Sequence, residues 1–143
     1  MQLAPVHRRL PRAGLDPIGD TDTAFITISM AVHRPLRHET VVALLDDDRC
    51  GISLVVVSGT ECPDAVVEVV ECLLDPARHG GRVAGLIVAS VRPAGGEADP
   101  GDIDRWLEMS DLSEQAGIEL LEWFVITDDV RCPRDQLGEP PRW

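Results

Sequence analysis

The chain of 143 residues has no lysine and no tyrosine, so all thirteen of its cations are arginines. This substitution of arginine for lysine reads as a coding bias and carries no functional message. Aromatics are scarce, with three tryptophans and two phenylalanines. Cations are outnumbered by carboxylates, 13 to 25, which gives a formal charge of −12. One acidic domain of this kind is a poor partner for phosphate backbones, so nucleic acid is not an expected ligand. No long apolar run exists. The longest, Leu54–Val57 and Val83–Ala89, are far shorter than a bilayer requires. The first twenty residues hold arginines but no continuous apolar stretch, so no secretory signal is expected there. Cys50, Cys62, Cys72 and Cys132 form no C-x-x-C pair. Without an export signal they are expected as reduced thiols in a cytoplasmic protein.

What is present is enough for one domain with a core of its own. Residues 1–22 carry Pro5, Pro11, Pro17, Gly14 and Gly19 without periodicity, and are expected to be a flexible arm. Phe25–Val32 is apolar, β-branched and partly alternating, which predicts a strand. The break at His33–His38 is followed by two more expected strands, Thr40–Leu45 and Ile52–Val57. The polar turn Asp46–Gly51 joins them into a hairpin. Ser58–Asp64 starts a helix, with Pro63 near its first turn. Val66, Val69, Val70, Leu73 and Ala77 follow helical spacing up to His79-Gly80-Gly81. Val83–Ala89 reads as a strand covered on both faces.

Asp99-Pro100-Gly101-Asp102 then starts a second helix. Asp99 can cap it and Asp102 faces its positive end. Ile103, Trp106, Met109 and Ala116 form its apolar stripe before Gly117. Ile118–Ile126 is a further apolar strand, and residues 128–143 form a polar, proline-bearing tail ending at Trp143. No internal repeat is present. The order predicts an α/β fold, a mixed β-sheet flanked by helices, within a single domain over residues 23–127.

Several strings in this order resemble the JAB/MPN domains, and among them the RadC-like branch. Glu39-Thr40-Val41-Val42-Ala43-Leu44-Leu45-Asp46 is similar to the family's first core strand and its turn. Val57-Ser58-Gly59-Thr60 is similar to the lead-in of its first helix. Asp102-Ile103 with Gly117-Ile118-Glu119-Leu120-Leu121-Glu122 is similar to the second helix and last strand. The resemblance covers residues 38–127 and implies the three-layer, cytidine-deaminase-like architecture of that family.

In active members, a His-x-His-Pro-Ser-Gly loop and a following aspartate hold zinc, and a glutamate from an earlier strand acts as base. Here the loop reads Ser90-Val91-Arg92-Pro93-Ala94-Gly95, one residue shorter before Asp102. A serine hydroxyl stays protonated and is a poor zinc ligand. A guanidinium has no lone pair and repels a divalent ion. The resemblance therefore implies a remnant pocket of Ser90, Arg92, Asp102 and Glu39 without catalytic residues, metal or cofactor. The expected role is that of a catalytically inactive, metal-free module binding a protein partner, with a homo-oligomer also open.

Two alternatives stand beside it. One is an enzyme or anion-binding protein using Arg92, Asp102 and Ser90, which requires the three to converge in an open pocket. The other is a DNA-repair role like that named for RadC proteins, carried by Arg8, Arg9 and Arg12. Residue by residue, plainer readings compete. Asp102 is a relic of the metal site or simply favours a helix N-terminus. Arg92 is an anion anchor or a structural cation paired with Asp102 or Glu39. Glu39 is expected as a solvated strand-edge residue. His33 and His38 read as exposed loop histidines, Asp46–Asp48 as a solvated turn lacking the calcium-loop pattern, and Trp106 and Trp123 as core. Trp143 docks onto the body or onto a partner. Pro93-Ala94-Gly95-Gly96 lacks the Gly-Lys-Ser/Thr of a phosphate loop.

Overall fold

A computed structural model describes residues 10–93 and 99–143. In chain order they form α1 (Thr21–Ser29), β1 (Glu39–Leu45), β2 (Gly51–Ser58), α2 (Ala65–Gly80), β3 (Gly85–Val91), α3 (Asp102–Gln115), β4 (Glu119–Ile126), β5 (Val130–Arg131) and α4 (Pro133–Gln136). The five strands make one mixed sheet in the order β2-β1-β3-β4-β5. β1 is antiparallel to both β2 and β3, β3 and β4 are parallel, and β5 is antiparallel to β4. The parallel pair is joined through α3, as parallel neighbours require a crossover.

β3 is buried at all seven positions and lies inside the sheet, with β4 beside it. This agrees with their unbroken apolar character. Alternate residues serve two cores. Val41, Ala43, Ile87, Ala89 and Phe124 pack toward Ala24 and Ile28 of α1. Val42, Leu86, Val88, Trp123 and Val125 pack toward Val66 and Val70 of α2 and Trp106 and Met109 of α3. Helices thus cover both faces of the sheet. No helix among the described residues is long and apolar enough to cross a membrane.

Phe25–Val32 is not a strand. Phe25–Ser29 belongs to α1, whose start is fixed by Asp20: its Oδ1 accepts the Thr23 N–H at 2.7 Å. The helix buries Ala24 and Ile28, one turn apart, and seats Phe25 edge-on against Phe124 with ring centroids 5.4 Å apart. Tertiary packing outweighs the strand preference of Ile26, Thr27 and Ile28. Upstream, Ile18 is buried and Pro17 bridges to Cys50, so the lead-in is tied to the sheet before α1 begins. The expected arm's first nine residues lie outside those described.

α2 ends on Gly81 in the left-handed conformation, as its Gly pair implied. α3 starts at Asp102, with Gly101 rather than Asp99 as its N-cap. Beyond β4 the chain runs along the sheet edge. β5 pairs with Val125 and Ile126, α4 packs on β4 and α3, and Trp143 Nε1 donates to Thr21 Oγ1 at 2.9 Å. Trp143 thereby docks onto the body. Trp106 and Trp123 are fully buried in the core.

Candidate functional site

Along β3, Leu86 and Val88 face α2 and α3 while Ile87, Ala89 and Val91 face α1. Strand alternation therefore turns Ser90 and Arg92 toward α2 and α3. Ser90 is buried, and its hydroxyl accepts the Trp123 Nε1–H at 3.0 Å. The Arg92 N–H donates to the Ile126 carbonyl at 2.8 Å, carrying the ladder one residue past the strand. This fixes where the guanidinium leaves the sheet. It meets the first residue of α3: Arg92 Nη1 and Nη2 donate to Asp102 Oδ2 and Oδ1 at 2.8 and 2.9 Å. The pair is a two-pronged fork, the strongest geometry available to these groups. Its side chains are 20% and 5% exposed.

Asp102 also serves Arg105, one turn further along α3. Arg105 Nη1 donates to Asp102 Oδ1 at 2.9 Å and Nε donates to Asp64 Oδ1 at 2.7 Å. Asp99 Oδ1 lies 3.2 Å from the same Nη1 and accepts the Gly101 N–H at 2.8 Å. Gly101 eases this approach, since a Cβ there would sit a tight 3.2 Å from both Arg105 Nη atoms. Burial alone would lower the Arg105 pKa, but its bonds to Asp64, Asp102 and Asp99 outweigh it and raise it. The Gly101 N–H, and then Arg105, hold Asp99 below its usual carboxylate value despite partial burial.

The donor set does not fit a zinc ion. Both oxygens of Asp102 are taken by guanidinium groups, Arg92 brings a fixed positive charge, and the Ser90 hydroxyl serves Trp123. Among the described residues, no three His, Cys, Asp or Glu side chains gather as a metal site would require. No step through a metal follows from this corner. Ala94, Gly95 and Gly96 of the loop lie outside the described residues.

Glu39 does not join the other three. It shares the strand face of Val41 and Ala43, which is the α1 side, opposite Ser90 and Arg92. It is also not a solvated edge residue. β1 lies between β2 and β3, and Glu39, paired with Ser58 and Val91, is fully buried. A buried carboxylate needs partners, and the loop after α1 provides them. Glu39 Oε2 accepts the His33 N–H at 2.9 Å, and Oε1 lies 2.7 Å from His33 Nδ1. Arg37 closes the chain on the other ring nitrogen, 2.7 Å from His33 Nε2. A guanidinium can only donate, so this contact fits the Nδ1–H tautomer of His33, with that proton toward Glu39. Half-exposed His33 is thus a bridge between two charges rather than a free loop histidine. Beside it, a cleft of ≈ 420 Å³ opens between Arg37, His38, Ser58, Glu61 and Pro93.

Two further features went unread in the sequence. Arg105 could have been found from its spacing to Asp102, because residues three apart share a helix face. Glu122 stands among the apolar residues of β4 and, unlike the exposed Glu119 at the strand's start, is fully buried. Its partner, Arg134, donates Nε to Glu122 Oε2 at 2.9 Å. Burial still raises the Glu122 pKa against the pull of Arg134, and burial, with the Glu122 charge, raises the Cys132 thiol to about 12. In the turn, Asp46 Oδ1 accepts the N–H groups of Asp48 and Cys50, while Asp47 and Asp48 are exposed. Of the basic arm, Arg8 and Arg9 lie outside the described residues, and Arg12 is paired with Asp16 at 2.8 Å. No family model matches the chain, and no curated protein matches it.

Proposed function

We propose that this chain is a catalytically inactive, metal-free relative of the JAB/MPN domains, of the RadC-like branch, that serves as a protein-interaction module. The observation that carries the proposal is the Arg92–Asp102 fork. In the resemblance, positions 90, 92 and 102 are those of the three zinc ligands. Here they share one side of the sheet end, and a guanidinium takes the volume and charge of the ion. The element order of β1 through β4 supports the same reading. The buried hydroxyl of Ser90 and the mutual saturation of Arg92 and Asp102 favour an inactive corner over an anion-binding one.

The test is to restore the ligands. In the double variant Ser90→His/Arg92→His, with Asp102 kept, one zinc per folded chain is expected by elemental analysis and calorimetric titration. The native chain is expected to take up no stoichiometric zinc. A folded double variant that stays metal-free removes the family placement. A native chain carrying one zinc removes the metal-free reading. The interaction role is checked by capture on the immobilised chain, followed by saturable binding of the purified partner. Absence of any such partner leaves that role without support.

A further inference from the structure

β2 is an edge strand with unusual composition. Gly51–Ser58 reads GISLVVVS: eight residues without charge or proline in a chain where 27% of residues are charged. Edges of soluble proteins are normally guarded by charge, proline, a bulge or a covering segment. Here the cover stops early. Gly14 donates to the Gly51 carbonyl and Pro17 bridges to Cys50. Past Gly51, among the described residues, the outer edge of β2 makes no backbone hydrogen bond. Its inner edge is consumed by β1.

The side chains carry the same message. Leu54 and Val56 are 39% and 38% exposed, and both lie on the α1 side, opposite Ala43 and Val41. Leu54 also lines an apolar cleft of ≈ 330 Å³ between β2 and α1, with Pro11, Ile52 and the exposed Met30.

We propose that this edge is a self-association surface, where β2 of a second copy pairs antiparallel with β2 about a two-fold axis normal to the sheet. Such an axis keeps faces matched, so residues of like parity oppose each other. A register centred on Val55 sets Leu54 against Val56 of the second copy, and Val56 against its Leu54. All four half-exposed apolar side chains are then covered at once, on the side where the apolar cleft opens. One isologous contact closes the β2 edge of both copies, leaving no free β2 edge for further growth. A charged peptide partner would find no complement on Gly51–Ser58, whereas an identical uncharged strand does. The formal charge of −12 on each copy opposes association at long range. Salt screens that repulsion, so the dimer tightens as ionic strength rises. The inference rests on the sheet edge and stands apart from the reading of the Arg92–Asp102 corner.

The test is sedimentation velocity and light scattering on the full chain at low and high salt. The native chain is expected to be a dimer that tightens with salt. Leu54→Glu/Val56→Glu sets like charges opposite each other twice, and is expected to weaken association by roughly tenfold or more. Leu54→Lys/Val56→Glu sets Lys against Glu in the proposed register, and is expected to restore the dimer. That charge-swapped variant also reports if the doubly acidic one fails to fold. A monomeric native chain overturns the proposal. So does a doubly acidic variant that dimerises like the native chain, or a monomer that dimerises only when residues 1–9 are removed. The last result would assign the edge to the chain's own N-terminal segment.

Discussion

Asp102 holds two guanidinium groups while being almost fully buried, so its removal strips Arg92 of its carboxylate partner and Arg105 of one of its three. Loss of one member of a buried ion pair costs about 3–5 kcal/mol, and of an exposed one nearer 0–1 kcal/mol. Arg92 and Arg105 retain some solvent, so Asp102→Ala is expected to destabilise by about 3 kcal/mol in urea unfolding. Arg92→Lys keeps the charge but not the fork, and is expected to lose about 1–2 kcal/mol. A double-mutant cycle between Arg92→Ala and Asp102→Ala should show coupling above ~1 kcal/mol. Strictly additive effects would mean that the fork contributes nothing as a unit. This pair was legible in the sequence because a loop and a helix start meet there and each group needs the other. Arg105, Asp64 and Asp99 were not foreseen, since two of the three reach the corner from flanking loops.

At the level of elements, α1 shows how a local pattern misleads. Read as a strand, FITISMAV puts Ile26, Ile28, Met30 and Val32 on one face, a clean apolar stripe. Read as a helix, the same residues bury Ile28 and leave Met30 59% exposed. The helix prevails because Asp20 caps it and because Ala24 and Ile28 pack into the core on this face of the sheet. Thr27 Oγ1 adapts by donating to the Thr23 carbonyl at 2.8 Å. Loss of the cap by Asp20→Ala is expected to lower stability by about 1 kcal/mol in denaturant titration, with the denaturant slope unchanged. No measurable loss would show that packing alone sets the start of α1.

For the whole molecule, the C-terminal segment works as a strap over the sheet edge. Arg142 donates Nη1 to the Leu120 carbonyl at 2.9 Å, stacks its guanidinium 4.4 Å over the Trp106 ring, and pairs with Glu139. Arg134 reaches under it to the buried Glu122. Arg134→Ala is expected to cost about 3–5 kcal/mol at neutral pH, because an unpaired carboxylate remains in the core. Glu122→Leu/Arg134→Met should recover most of that loss, since paired burial of charge is replaced by apolar volume. The pH dependence has a definite sign. The Glu122 pKa is raised in the fold, so its contribution is fully present below 4.5 and is lost as pH rises through the raised value. The cost of Arg134→Ala should therefore shrink on acidification and grow toward neutrality. A pH-independent cost in urea unfolding would rule out Glu122 as its origin.

The sequence by itself determined β1 to β4, α2 and α3. Their apolar periods and their Gly and Pro boundaries are local, and each side chain's preference agrees with its neighbours'. It also determined the chemistry at positions 90, 92 and 102, because ligand strength and charge are properties of the residues themselves. Tertiary structure decided the rest. α1 is a helix because a sheet face lies under its capped start, and Glu39 is buried because β1 is an interior strand and His33 and Arg37 fold back over it. Glu122 can sit in the core only because Arg134, twelve residues on, returns to it, and Trp143 finds Thr21 across 122 residues. Such partners leave no local pattern. A buried charge announces that it needs one, and only the folded chain says which.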